Sequence, residues 1–125
     1  MEVTVGQLVN ARETLKRLQQ ERLPARVAFR LARIIREVDP VLRAYDEAHT
    51  PLVKRLWVPA GEEGVYAPPT GDAWNEYVME RTALWEDTVN INAASLKEAD
   101  LARVTISAAD ALALEWMIEE EESEG

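Results

Sequence analysis

Cysteine is absent from this chain, and histidine occurs once, at position 49. The first absence excludes a disulfide framework and thiol chemistry. The second argues against multi-histidine metal sites and against the usual histidine base–nucleophile pairs. Serine is found only at 95, 107 and 123, in no nucleophile-elbow pattern. The glycines at 6, 61, 64, 71 and 125 match neither the dinucleotide fingerprint nor the phosphate loop. No apolar run approaches the ~18 residues that a membrane helix needs. Met1-Glu2-Val3-Thr4 has no basic region of the kind that opens a signal peptide. These absences lead us to expect a cytoplasmic protein without cofactor, metal site or membrane contact, and not an enzyme.

What the chain does have is one long helical pattern. The 125 residues, 47% of them hydrophobic, suit a single domain with a real core. From Pro24 to Leu56, Val27, Leu31, Ile34, Val38, Val41, Tyr45, Ala48 and Leu52 recur in steps of four and three, an a/d pattern held for almost four heptads. Ile35, Leu42, Val53 and Leu56 widen the stripe, which suits burial in a bundle core. Pro24 fits a first helical turn. Pro40 and Pro51 would each cost about 3 kcal/mol inside a helix. Two readings stand open: a continuous, kinked helix, or a break in which Asp39 caps a second segment. The unbroken heptad phase favours a kink or a very tight break.

The remaining elements follow from caps and periodicity. Thr4 to Gln7 is a capping-box pattern opening a first helix to about Gln20, with Val5, Leu8, Ala11, Leu15 and Leu18 on one face. The short connection through Leu23 makes residues 1–56 a helical hairpin. Residues 57–70, from Trp57 through Gly61, Gly64 and Pro68-Pro69, read as a projecting element, either a small hairpin or a loop. Gly71-Asp72 opens a third helix to about Glu86 with Asp72 as cap; Trp74, Val78, Arg81 and Trp85 share a face, with Tyr77 and Leu84 beside it. Thr88–Asn92 and Val104–Ile106 read as two short strands, with one capped turn between Ser95 and Leu101. Ser107 begins a fourth helix carrying Leu112, Ala113, Trp116 and Met117. Glu119–Glu122 would lie at its C-terminus, where the helix dipole disfavours negative charge. The expected fold is mostly α (α+β): a helical hairpin with a long kinked central helix, two further helices and a minor two-stranded β element. Residues 1–125 form one domain, with helix–strand–helix over 71–118 and an acidic tail over 119–125.

The net charge of −9 conceals an asymmetry. Residues 1–57 carry eleven Lys/Arg against seven Asp/Glu, a net +4; residues 58–125 carry three against sixteen, a net −13. Such halves permit pairing between subunits, although a solvated surface explains them equally well. Arg26, Arg30 and Arg33 project nearly opposite the apolar stripe, with Arg36 and Arg43 on its flank. The candidate ligand site is Arg26, Arg30, Arg33 and Arg36 with Trp57 and Tyr66. Guanidinium groups clamp phosphates bidentately, and aromatic rings stack a base or anchor a partner. The plain alternatives are solvated arginines and core aromatics, the latter favoured for Trp74, Trp85 and Trp116, which stand at helical spacing. Asp72, Glu76 and Glu80, four apart, could hold a hard cation or form a solvated face. Glu86-Asp87 beside Trp85 could make a general acid in an apolar pocket, though no partner group is visible. Duplex nucleic acid does not suit this overall charge.

The opening Val3-Thr4-Val5-Gly6-Gln7-Leu8-Val9-Asn10-Ala11, the stretch Leu23-Pro24-Ala25-Arg26-Val27-Ala28-Phe29-Arg30-Leu31-Ala32 and the closing Ile106-Ser107-Ala108-Ala109-Asp110-Ala111-Leu112-Ala113-Leu114-Glu115-Trp116 resemble short phage and prophage proteins in a family of unknown function. The middle, with Pro40, Pro51 and the Pro-rich segment, departs from that pattern. The resemblance supplies no catalytic residues. It implies a phage-encoded accessory protein of the host cytosol. Three readings follow: an anti-defence protein, in its sharpest form a homo-oligomeric sponge holding a small anionic signalling nucleotide at a subunit boundary; a virion assembly or structural factor; or an acidic inhibitor of a host protein, acting as a nucleic-acid mimic.

Overall fold

The chain enters its first helix through the capping box that the sequence predicts. In the computed structural model, which describes residues 1–119, α1 spans Val5–Leu18. Thr4 Oγ1 accepts the Gln7 N–H at 3.1 Å, and Gln7 Oε1 accepts the Thr4 N–H at 2.8 Å. Two of the four unpartnered N–H groups at this helix start are thereby satisfied.

The central helix, α2, runs without interruption over Ala25–Leu56, through Pro40 and Pro51. Pro24 stands just before it as the N-cap, one position earlier than expected, and its carbonyl accepts the Ala28 N–H at 2.9 Å. Each interior proline strips a hydrogen-bond donor from the carbonyl four residues back, at Arg36 and Glu47. Both prolines and both of those residues are exposed, so water can serve the freed carbonyls. The apolar stripe stays in phase on either side and holds the helix together by packing.

Most of that stripe is consumed within the chain. Val27, Leu31, Ile34, Val38 and Leu42 join Leu8, Ala11, Leu15 and Leu18 of α1, with Val3, Ile91, Leu96, Leu114 and Met117 from later segments, in one aliphatic core. Further along α2, Tyr45 and Leu52 are buried, while Ala48 is exposed. There the neighbour is α3, Gly71–Glu86, of which only Tyr77 is buried. The two helices form an arm. At its tip β2 (Val58–Pro59) pairs antiparallel with β3 (Tyr66–Ala67), making residues 57–70 a hairpin turned on Gly61 and Gly64, both in the left-handed region at φ +84°. Asp72 is not the cap of α3. Thr70 is, in extended conformation, and Asp72 stands in the first turn, where its charge suits the helix dipole.

The strands depart most from expectation. β4 is Thr88–Asn90, shorter than predicted, and its partner is β1, Glu2–Thr4, in an antiparallel pair that aligns Glu2 with Asn90. Val104–Ile106 is not a strand. A second pair joins β5 (Leu96–Lys97) in parallel to β6 (Ile118–Glu119), so among the described residues the minor β element is three two-stranded pairs rather than one. A 3₁₀ turn over Glu98–Leu101 follows β5. Segments of two or three residues carry no readable alternation; a partner distant in sequence defines them. The last helix, α4, is Ala108–Leu114, capped by Ser107, whose Oγ accepts the Asp110 N–H at 3.1 Å. It stops before Trp116 and Met117, which lie in a 3₁₀ turn over Glu115–Met117. The predicted acidic tail lies outside the described residues, except for Glu119 at the end of β6.

Two polar ties lock the body. Asp110, buried on α4, receives Thr14 Oγ1 at 3.0 Å and the Arg17 guanidinium through both carboxylate oxygens. Its hydrogen bonds to Arg17 hold the carboxyl below the ordinary carboxylate value, outweighing its loss of water, which acts to raise it. Arg12 of α1 meets Asp46 of α2 at 3.0 Å. At Gly6, α1 packs close against the arm: a Cβ there would lie 3.1 Å from Trp85 Cβ and 3.3 Å from its carbonyl oxygen. Among the described residues no helix is long and apolar enough to cross a membrane.

Candidate functional site

On α2 and α3 the sequence places aromatic and basic side chains four residues apart, and the arm brings those two rows face to face. Tyr45 and His49 stack with centroids 5.1 Å apart at 18°. His49 Nε2 lies 2.7 Å from the Tyr77 hydroxyl, and Trp85 Nε1–H donates to the Tyr45 hydroxyl at 3.1 Å. Trp57 meets Tyr77 edge-on at 5.3 Å, and Trp74 meets it at 5.5 Å. The Arg81 guanidinium lies 4.5 Å from the Trp85 ring centroid and 5.4 Å from that of Tyr77. Cation–π contacts of this kind contribute about 0.5–2 kcal/mol, more as they are shielded from water. Burial pushes the His49 imidazole below its ordinary value, and Arg81 and Arg12 add to the effect against Asp46. Burial likewise raises the Tyr45 phenol, against the hydrogen bond from Trp85.

Chemically, this cluster is a fastening. The His49 ring is stacked on Tyr45, and its Nε2 is engaged by Tyr77. Sequence reasoning used His49 only as a count and missed its role. The signal was present: Tyr45 and His49 share the buried stripe of α2, and Tyr77, Arg81 and Trp85 repeat every four residues on α3. Trp57 Nε1, Arg81 Nε and Trp116 Nε1 are buried without a hydrogen-bond partner among the described residues.

The predicted ligand residues fall at two ends of one helix. Arg26, Arg30, Arg33 and Arg36 lie on the N-terminal half of α2, Trp57 just past its C-terminus and Tyr66 on the hairpin. Along α2, Arg36 and Trp57 are about 30 Å apart and Arg26 and Trp57 about 45 Å, at 1.5 Å per residue. A single chain does not gather them around one ligand. Arg30 also faces Asp100, at 3.8 Å, while Arg26, Arg33 and Arg36 are exposed and carry no ion pair among the described residues. Trp57 and Tyr66 are half-buried, and the Trp57 ring is packed on Tyr77.

The acidic row of α3 is likewise partly engaged. Arg55 of α2 reaches Glu76 at 2.9 Å and also pairs with Glu80, and these bonds raise the arginine above its ordinary value. A cation site at Asp72, Glu76 and Glu80 would have to displace that guanidinium. No cluster of three or more metal-ligating side chains occurs among the described residues.

Two exposed rows remain. On α2, Arg26, Phe29, Arg33, Arg36, Pro40 and Arg43 follow one another at three- and four-residue steps, all exposed, with Phe29 66% exposed. On α3, Asp72, Glu76, Met79, Ala83 and Glu86 do the same, with Met79 75% exposed. Each row has a large apolar side chain set among charges of one sign. Compared with protein-family models, with curated proteins and with solved structures, the chain finds no match.

Proposed function

We propose that the protein is a non-enzymatic accessory binding protein that docks protein surfaces through its two charged helix rows, in the manner of an assembly or bridging factor. The observation that carries this reading is the pair of rows itself: basic around Phe29, acidic around Met79, both solvent-facing. An exposed apolar side chain in a row of like charges is the composition of a docking patch, in which the apolar group supplies affinity and the charges supply orientation and specificity. The resemblance at the chain ends would place such a protein among phage-encoded accessory factors, active in virion assembly or against a host defence protein.

The sponge form of the proposal requires two copies, because the arginines of one chain can meet Trp57 and Tyr66 only of another. A small anion retained in a gentle native mass spectrum would support that form.

The reading is tested by affinity purification of the tagged protein from its natural expression host, beside Arg33→Glu/Arg36→Glu and Asp72→Lys/Glu86→Lys variants. Each reversal should remove its own set of co-purifying proteins while the circular dichroism spectrum stays unchanged. Identical partners across all three proteins would overturn it.

A further inference from the structure

From this docking reading, we infer that each row's partner is the other row on a second copy of the same chain, so that the protein assembles head to tail. Three observations carry the inference.

The first is complementarity of charge. Arg26, Arg33, Arg36 and Arg43 give the α2 row positive charge up to Glu47, which ends it, while Asp72, Glu76 and Glu86 give the α3 row only negative charge. Arg33, Arg36, Asp72 and Glu86 have no ion pair among the described residues, so these groups meet a partner uncommitted.

The second is fit. The α3 row, Asp72 to Glu86, extends about 21 Å, and the α2 row, Arg26 to Arg43, about 25 Å. Seating Phe29 against Met79 places Arg36, seven residues along one row, against an acid seven residues along the other: Asp72 if the helices run antiparallel, Glu86 if parallel. Both rows have the three-and-four spacing that lets ridges of one helix enter grooves of another.

The third is direction. Helix α3 packs on the side of α2 that carries Tyr45, His49 and Leu52, the same side as Val27, Leu31 and Ile34. The basic row lies roughly 150° around α2 from that side, at 100° per residue. Met79 is two residues from the buried Tyr77 and so points away from α2. The two rows therefore face opposite sides of the molecule. A chain cannot pair its own rows, and a two-fold dimer cannot satisfy both at once. The contact that remains is heterologous, which builds a ring if its rotation closes and a filament if it does not. The heptad seam of α2 takes no part, because the chain's own core fills it.

The test is sedimentation velocity over a range of concentrations at low and high salt. Wild type should grow beyond the monomer with concentration, and less so at high salt, since exposed charges are screened beyond about 10 Å at 0.1 M. Arg33→Glu/Arg36→Glu and Asp72→Lys/Glu86→Lys should each sediment as monomers. Mixed, they should assemble again in alternation, because each retains the row that the other has lost and the two reversed rows are themselves of opposite charge. All four positions are exposed, and circular dichroism checks that both variants fold. A wild type that stays monomeric at low salt, a variant that assembles alone, or a mixture that stays monomeric would each overturn the inference. If wild type is monomeric and the two variants still lose their co-purifying partners, self-assembly fails and the docking reading stands. If the partners are unchanged as well, both fail.

Discussion

The body and the arm of this protein are built from different side chains because they solve different burial problems. In the body, segments from α1, α2, α4 and two strand pairs surround an aliphatic core, and Leu8, Ile34, Leu96 and Met117 are wholly excluded from water. Aliphatic groups suffice there because every direction is covered. In the arm, α2 and α3 face each other, α1 meets them at Trp85, and the interface is only partly covered, with His49 and Trp85 half-buried. Tyr45, His49, Tyr77 and Trp85 fit that setting, since each has an apolar ring for the interface and a polar atom that finds a partner. Arg81 extends the same logic by laying its guanidinium over two rings. A protein with one buried body and one fastened arm should open in parts, the arm first.

The largest break in this comparison is a cavity in the body. Ile34→Ala should cost about 2–5 kcal/mol, as large-to-small changes in close-packed cores do. Urea denaturation should show the loss with every spectroscopic probe, because the whole fold depends on that core. A loss confined to one probe would mean that the body is not one cooperative unit.

A smaller change sharpens the contrast. Tyr77→Phe removes the hydroxyl that engages His49 and should cost about 0.5–1.5 kcal/mol. Hydrogen exchange should quicken in α3 and the C-terminal half of α2 while α1 amides keep their protection. Uniform quickening would join the arm to the body as a single unit.

The smallest effect is one of pH. Folded His49 binds a proton less readily than an unfolded histidine, whose ordinary value is 6.5, because burial disfavours the charged ring. Its contribution is complete above that value and is lost as pH falls toward the lower folded value. Arm opening, followed by the same exchange measurement, should therefore increase below about pH 6.5, and His49→Gln should flatten that dependence. Asp110 acts in the body and only in stronger acid. Its carboxyl is held below the ordinary 3.8, so its contribution is present above that value and disappears as pH falls through the folded one.

The helices were legible because their causes are local. Thr4 and Gln7 cap α1, Ser107 caps α4, and the α2 stripe repeats often enough that neither proline obscures it. The α2 stripe also shows the limit of such reading. A seam of that regularity suits a second copy as well as the chain's own core, and nothing in its spacing distinguishes them. The predicted ligand residues show the same limit. Arg36 and Trp57 both belong to the long helix region, yet the 1.5 Å rise of an unbroken helix keeps them about 30 Å apart.

The sequence by itself determined the helical class, the extent of the helices to within a few residues, the opposite charge of the two halves and the absence of thiol and multi-histidine chemistry. These follow from composition and from a 3.6-residue period that each helix carries within itself. Only the tertiary structure decided which strands pair, that Glu2 aligns with Asn90, that His49 meets Tyr77, and that the basic and acidic rows face opposite ways. Those facts depend on groups distant in the chain, brought together by burial of the aliphatic core, and no local period encodes them.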